Sequence, residues 1–174
     1  MSGAGATTIV VNDASCLIDL RKGRLLHVLL KLPYSFVIPY PVRHSELLDF
    51  SPQEWALLDG GGMETLDLPA ERVSEVFAIK ASYPKLSAND CFCLVATRCF
   101  EGAILLTGDG LLRRAASEDG LRVHGVLWII DELKRTALCG DTVLVAALKT
   151  WGEDASVFLP EAEIERRLRL LKRG

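Results

Sequence analysis

Two acids directly follow apolar runs of strand length: Asp13 comes after Ile9-Val10-Val11, and Asp109 after Ile104-Leu105-Leu106-Thr107. In parallel α/β sheets the carboxyl ends of the strands line the ligand crevice, so both acids are expected on one edge, facing one cleft. Glu46 is expected on the helix after the strand Phe36 to Ile38, and Asp90 in the first turn of a helix over 88–100. Helices leaving that edge would bring both to the same cleft. If the four converge, each ionised pair about 4 Å apart repels by roughly 4 kcal/mol at an effective dielectric near ~20. Such a cluster demands cations or protons. Hard oxygen ligands without a convergent His or Cys select Mg²⁺ or Mn²⁺ over zinc. Metal held this way suits phosphodiester hydrolysis, because it makes hydroxide from a bound water and neutralises the attacking and leaving oxygens.

Each acid alone also has a structural reading. Asp13 is placed to cap the helix after it, Asp90 stands where a capping-box acid stands, and Asp109 in Thr107-Gly108-Asp109-Gly110 fits a turn or an N-cap. Glu46 in isolation is an ordinary helix-surface glutamate. Only the set of four points to metal.

The elements that must position these acids alternate along the chain. Strands are expected at Thr7 to Val11, Ser35 to Ile38, Met63 to Leu66, Ala103 to Leu106 and Leu121 to Val123. Helices are expected over 16–32 with a break near Gly23, then 41–48, 52–58, 70–80, 88–100 and 110–117. Strand followed by helix, repeated, predicts an α/β domain around a mostly parallel sheet. Ser51-Pro52-Gln53-Glu54 carries an N-cap serine, a first-turn proline and a glutamate three residues after the cap, and Ser87-Ala88-Asn89-Asp90 has the same outline. Gly60-Gly61-Gly62 should end one helix. After Val123 the chain reads as helical, over 126–138, 142–151 and 161–172, the last with an apolar stripe of Ile164, Leu168 and Leu171.

Composition fits one globular unit of 174 residues, with 49% hydrophobic and 25% charged residues and a net charge of -3. At this length roughly 70% of the unfolded surface can be buried, so neither disulfides nor structural metal are required. Disorder, coiled coil and collagen-like structure are excluded. The mild acidity argues against a protein that coats nucleic acid through bulk charge. The cysteines Cys16, Cys91, Cys93, Cys99 and Cys139 form no CxxC pair and read as reduced, mostly buried thiols. With no basic leader and no long apolar run, a cytoplasmic location is expected.

Together the segments resemble the PIN-domain nucleases, especially the ribonuclease toxins of VapC-type toxin-antitoxin systems. The pieces that carry the resemblance are Val10-Val11-Asn12-Asp13-Ala14-Ser15 with Leu17-Ile18-Asp19, Ile38-Pro39 through Val42 to Glu46-Leu47, Leu86-Ser87-Ala88-Asn89-Asp90, and Leu105-Leu106-Thr107-Gly108-Asp109-Gly110-Leu111-Leu112-Arg113. Val123-His124-Gly125-Val126-Leu127-Trp128, Leu159-Pro160 and a closing helix extend it over nearly the whole chain. Asn12 stands where an apolar residue is more usual.

The resemblance implies a three-layer α/β/α fold spanning 1–174, with a core over about 5–138 and a helical tail over about 139–174. It makes Asp13, Glu46, Asp90 and Asp109 the metal-binding, catalytic acids, with Ser15 and Thr107 as supporting hydroxyls. It implies an Mg²⁺ or Mn²⁺ dependent endoribonuclease, working as a homodimer and held inactive by an antitoxin. Arg113 and Arg114, just after Asp109, are the expected RNA contacts. The cluster Arg166, Arg167, Arg169, Lys172 and Arg173 reads instead as a solvent-facing complement to the helix dipole. Trp55, Trp128 and Trp151 read as core or interface.

Two other readings stay open. An inactive PIN domain that only binds RNA or an antitoxin is opposed by the presence of all four acids. A haloacid-dehalogenase-like phosphohydrolase also places an acid after its first strand, but Ser15 stands two residues after Asp13 where that class resembles an Asp-x-Asp pair.

Overall fold

A computed structural model describes residues 5–174. Five strands form one sheet in the order β3-β2-β1-β4-β5, and every neighbouring pair is parallel. The strands are β1 (Ile9–Asn12), β2 (Ser35–Pro39), β3 (Glu64–Leu66), β4 (Ile104–Leu106) and β5 (Arg122–His124). Helices α1 (Ala14–Lys22) and α2 (Leu26–Leu29) follow β1, and α3 (Tyr40–Ser45) and α4 (Pro52–Gly60) follow β2. After β3 come α5 (Ala70–Ser82) and α6 (Ala88–Arg98), and α7 (Gly110–Glu118) follows β4. The chain ends in α8 (Val126–Thr136), α9 (Asp141–Glu153) and α10 (Glu161–Lys172). This is a three-layer α/β/α architecture around a parallel sheet. Among the described residues, no helix is long and apolar enough to cross a membrane.

A parallel sheet covered on both faces needs continuous apolar strands. Val10, Val11, Ile104, Leu105 and Leu106 are fully buried, as that rule requires. The central pairing sets Val11 opposite Leu105 and Asn12 opposite Leu106, so β1 and β4 end side by side. The residues leaving those two ends, Asp13 and Thr107 to Asp109, are thereby neighbours. Helix α6 packs against β1, β2 and β4 on one side and α5 on the other. Cys91 and Cys93 are both buried although they leave the helix on different sides.

The capping signals hold. Ser51 accepts the Glu54 amide at 3.1 Å, and Ser87 and Asp90 form a reciprocal capping box. Gly61 is the C-cap of α4. The break near Gly23 has a packing cause: a Cβ there would stand 2.9 Å from the Trp151 ring of α9. Trp151 is itself buried and donates its indole N–H to the Asp19 carbonyl at 2.7 Å, fastening α9 to α1.

Two expectations need correction. Glu46 is not on a helix: α3 stops at Ser45 and Glu46 is its C-cap residue. The Ser45 hydroxyl turns back to the Pro41 carbonyl at 2.5 Å, a bond that competes with helix continuation. Arg167 is not solvent-facing: it is 8% exposed and holds Asp131 of α8 through two bonds of 2.8 and 2.7 Å.

Candidate active site

The N-cap of α1 is Asp13, 4% exposed, and its Oδ1 accepts the Ala14 amide at 2.8 Å. Its Oδ2 accepts two hydroxyls, from Thr107 at 2.8 Å and Ser15 at 2.9 Å. The same hydroxyls receive the chain leaving β4: Thr107 Oγ1 accepts the Asp109 amide at 3.1 Å, and Ser15 Oγ accepts the Gly108 amide at 3.0 Å. One polar knot thus ties the carboxyl ends of β1 and β4 together. Asp109 sits exposed at its edge, capping α7 through the Leu112 amide at 2.8 Å.

Asp90 and Glu46 approach from the other side of β1. Burial pushes the Asp13 carboxyl above its ordinary range, and the Asp90 charge adds to that, against the hydroxyls that favour ionisation. Glu46 is raised by partial desolvation and by both Asp13 and Asp90. Beneath them the buried Cys93 thiol is pushed well up, by burial first and then by Asp13, Asp90 and Glu46. Three of the four acids therefore share one electrostatic neighbourhood. The Asp109 backbone is tied to Asp13 through Thr107, while its carboxylate turns to cap α7.

Glu46 is positioned by a residue that sequence reasoning passed over. Asn89, beside Asp90 on α6, donates to Glu46 Oε1 at 2.6 Å and to Ser45 Oγ at 2.8 Å. An amide next to an acid at a helix start was the available signal. Asn12 is also polar and buried at the end of β1. Its amide donates to the Val10 and Val37 carbonyls, while its Oδ1 has no partner.

A family model for a PIN domain matches residues 9–173. The chain belongs to the PIN-domain family. No curated protein matches it. The phosphohydrolase alternative falls with this, and the fold is of a nuclease type, in a family that generally uses divalent metal ions.

Among the described residues of this PIN domain, none of the four acids is paired with a lysine, arginine or histidine. Nor do any three His, Cys, Asp or Glu side chains stand close enough to share one ion. Asp13, Asp90 and Asp109 each spend a carboxylate oxygen on a helix cap, so the structural readings of these acids are realised alongside their proximity. Carboxylate oxygens have two lone pairs each, and a cap leaves acceptor capacity for a further ligand.

The two arginines after Asp109 diverge. Arg113 is half-buried, donates to the Thr107 carbonyl at 3.2 Å and lines a cleft of about 1060 Å³ that Ser15, Gly108 and Asp109 also line. Arg114 is exposed and lines a separate depression with Tyr83, Lys85 and Glu118.

Proposed function

We propose that this PIN domain is a divalent-metal-dependent endoribonuclease of the VapC toxin type, with Asp13, Glu46, Asp90 and Asp109 as its metal-binding acids. The observation that carries the reading is Asp13: a carboxylate almost wholly removed from water, in the field of Asp90 and Glu46, with no protein cation beside it. Burying an unpaired charge costs several kcal/mol in proteins, on the order of what a bound cation would offset.

The donor set fits the ion. All four candidates offer hard oxygens, and Mg²⁺ is commonly held by one or two carboxylates with water and substrate phosphate completing its shell, so a preformed three-acid cage is not required. When bound, the metal supplies a low-pKa water and neutralises charge on the phosphate oxygens. The chain's own groups then do the positioning. Thr107 and Ser15 fix the rotamer of Asp13, and their donated hydroxyls favour the carboxylate against the burial that raises its pKa. Asn89 fixes Glu46 in the same way. Arg113 supplies a cation at the cleft edge for a substrate phosphate.

The resemblance to VapC-type toxins supports RNA as the substrate, a homodimer as the working state, an antitoxin as the controlling partner, and the cytoplasm as the location. The inactive-module reading draws on the capping bonds, which give three of the acids a structural use without metal. Incubating purified protein with a structured RNA and Mg²⁺ or Mn²⁺, with and without chelator, decides between them. Cleavage that chelator stops and that both Asp13→Asn and Asp109→Asn lose is the expected result. Undiminished cleavage in both variants would sink the site. RNA or partner binding without cleavage under any metal would favour the inactive module.

A further inference from the structure

The 1060 Å³ cleft extends away from the acids, between one face of α1, the β5–α8 corner and the loop before α10. Three rings, those of His124, Trp128 and Phe158, are part of its lining. The rings of His124 and Trp128 stack face to face at 4.6 Å with 9° between their planes, one ring behind the other. Phe158 also lines the cleft and is 89% exposed in the segment between α9 and α10, the most exposed large apolar side chain among the described residues. Exposed to that degree, the Phe158 ring contributes little to the core and is available to a ligand in the cleft.

Charge in the cleft is distributed unevenly. Lys22 is engaged by Ser156 at 2.6 Å and faces Asp154, and Arg167 is held by Asp131 and Glu163. Arg113 alone among the cleft cations makes no carboxylate contact among the described residues, and it lies at the end nearest the acids. The result is one free cation beside the carboxylates and a stacking surface beyond it. A duplex, with two phosphate backbones and its bases already stacked inside, has nothing to place on that surface. An unpaired nucleotide has a phosphate for the first feature and a ring for the second.

We infer that the cleft is a base-binding subsite for single-stranded RNA, in which Arg113 holds a phosphate beside the acids and unpaired bases next to the scissile phosphate stack on the rings that line the cleft, the exposed Phe158 first among them. The inference rests on the nuclease reading for where the scissile phosphate lies. It adds which side of that phosphate is gripped, and by what. His124 suits the role because burial, with Arg122 and Arg113 nearby, lowers its pKa and keeps the imidazole neutral near pH 7.

The test measures binding and cleavage separately. Fluorescence anisotropy of a labelled single-stranded 12-mer of mixed sequence, with Ca²⁺ in place of Mg²⁺, is compared with the same strand annealed to its complement. The wild type is expected to prefer the single strand. Phe158→Ala should weaken single-strand binding about tenfold, the scale of one base–aromatic stack, and leave the weak duplex binding unchanged. Quenching of tryptophan emission by the single strand should shrink in Trp128→Phe, a readout that a purely structural role would not move. Because Phe158 is exposed, Phe158→Ala is expected to fold, and an unchanged unfolding midpoint checks that. Equal single-strand affinity for wild type and Phe158→Ala, as a cleft serving a protein partner would give, overturns the subsite. Phe158-dependent binding without cleavage keeps the subsite and rejects the nuclease, whereas cleavage with normal affinity in Phe158→Ala does the reverse.

Discussion

Thr107 donates a hydrogen bond to Asp13 across 2.8 Å and, with the Ser15 hydroxyl, joins the carboxyl ends of β1 and β4 at the acids. The Thr107 hydroxyl oxygen accepts the Asp109 amide, so Thr107 sets the placement of two of the four acids. Thr107→Val keeps the shape and removes both bonds. Losing a hydrogen bond to a charged group costs about 1.5–3 kcal/mol, and outer partners of metal ligands typically account for 10–100-fold in activity or affinity. The expected outcome is a drop of about 2 kcal/mol in urea-unfolding stability with a 10–100-fold fall in RNA cleavage. Thr107→Ser should restore most of both.

Asp13 is predicted to trade stability for function. Its carboxylate is buried without a protein cation, so neutralising it removes a charge-burial cost as well as the metal ligand proposed above. In metal-free protein at pH 7, Asp13→Asn should unfold at the same temperature as wild type or higher. Adding Mg²⁺ to about tenfold above its dissociation constant should raise wild-type stability by about 1.4 kcal/mol and leave Asp13→Asn unmoved. Calorimetry with and without the ion reads this independently of any RNA. Equal stabilisation of both proteins would count against Asp13 as a ligand.

Asp19 provides a pH signature away from the acids. It is half-buried on α1, and burial, aided by Asp154 and opposed by Lys22, pushes its carboxyl up to about 6. A folded-state pKa above the unfolded one means the folded form holds the proton more tightly. The associated stability is present in full below the unfolded value and is lost as pH rises through about 6. Asp19→Asn should therefore gain about 1 kcal/mol over wild type at pH 7.5, after discounting for its partial exposure, and nothing at pH 3.5. Denaturant titrations at the two pH values test the sign.

The sheet and its caps were legible because their signals are local. An apolar run ending in a polar residue marks β1 and β4, and Ser87 three residues before Asp90 marks the start of α6. Adjacent parallel strands ending together is a rule of the fold class, so the neighbourhood of Asp13 and Thr107 to Asp109 could be expected before any coordinates. Glu46 was harder. Its exit from the helix depends on the Ser45 back-bond and on Arg43 being drawn away to Asp59 and Thr65, which lie 16 and 22 residues along the chain. The cleft was illegible for the same reason, since Arg113, Trp128 and Phe158, which line it together, come from distant parts of the chain.

Arg167 shows where a local signal existed and was misread. Ile164, Arg167, Leu168 and Leu171 are spaced i, i+3, i+4 and i+7, so the arginine occupies the buried stripe of α10. Its guanidinium meets Asp131 of α8 with two parallel bonds and Glu163 with a third at 2.8 Å. Arg169, two residues on and on the opposite face of the helix, has a side chain 65% exposed with one ion pair at 4.0 Å. The two residues differ only in placement. Arg167→Met should cost about 2 kcal/mol, because the bidentate pair and the packed stem are lost together while Asp131, partly exposed, recovers some hydration. Arg169→Met should stay within about 0.5 kcal/mol of wild type. Coupling should appear in a double-mutant cycle with Asp131→Asn, where an interaction energy of about 1 kcal/mol or more is expected. Equal effects of the two arginine variants on urea unfolding would mean that α10 is held by its leucines alone, and that Arg167 is buried without fastening anything.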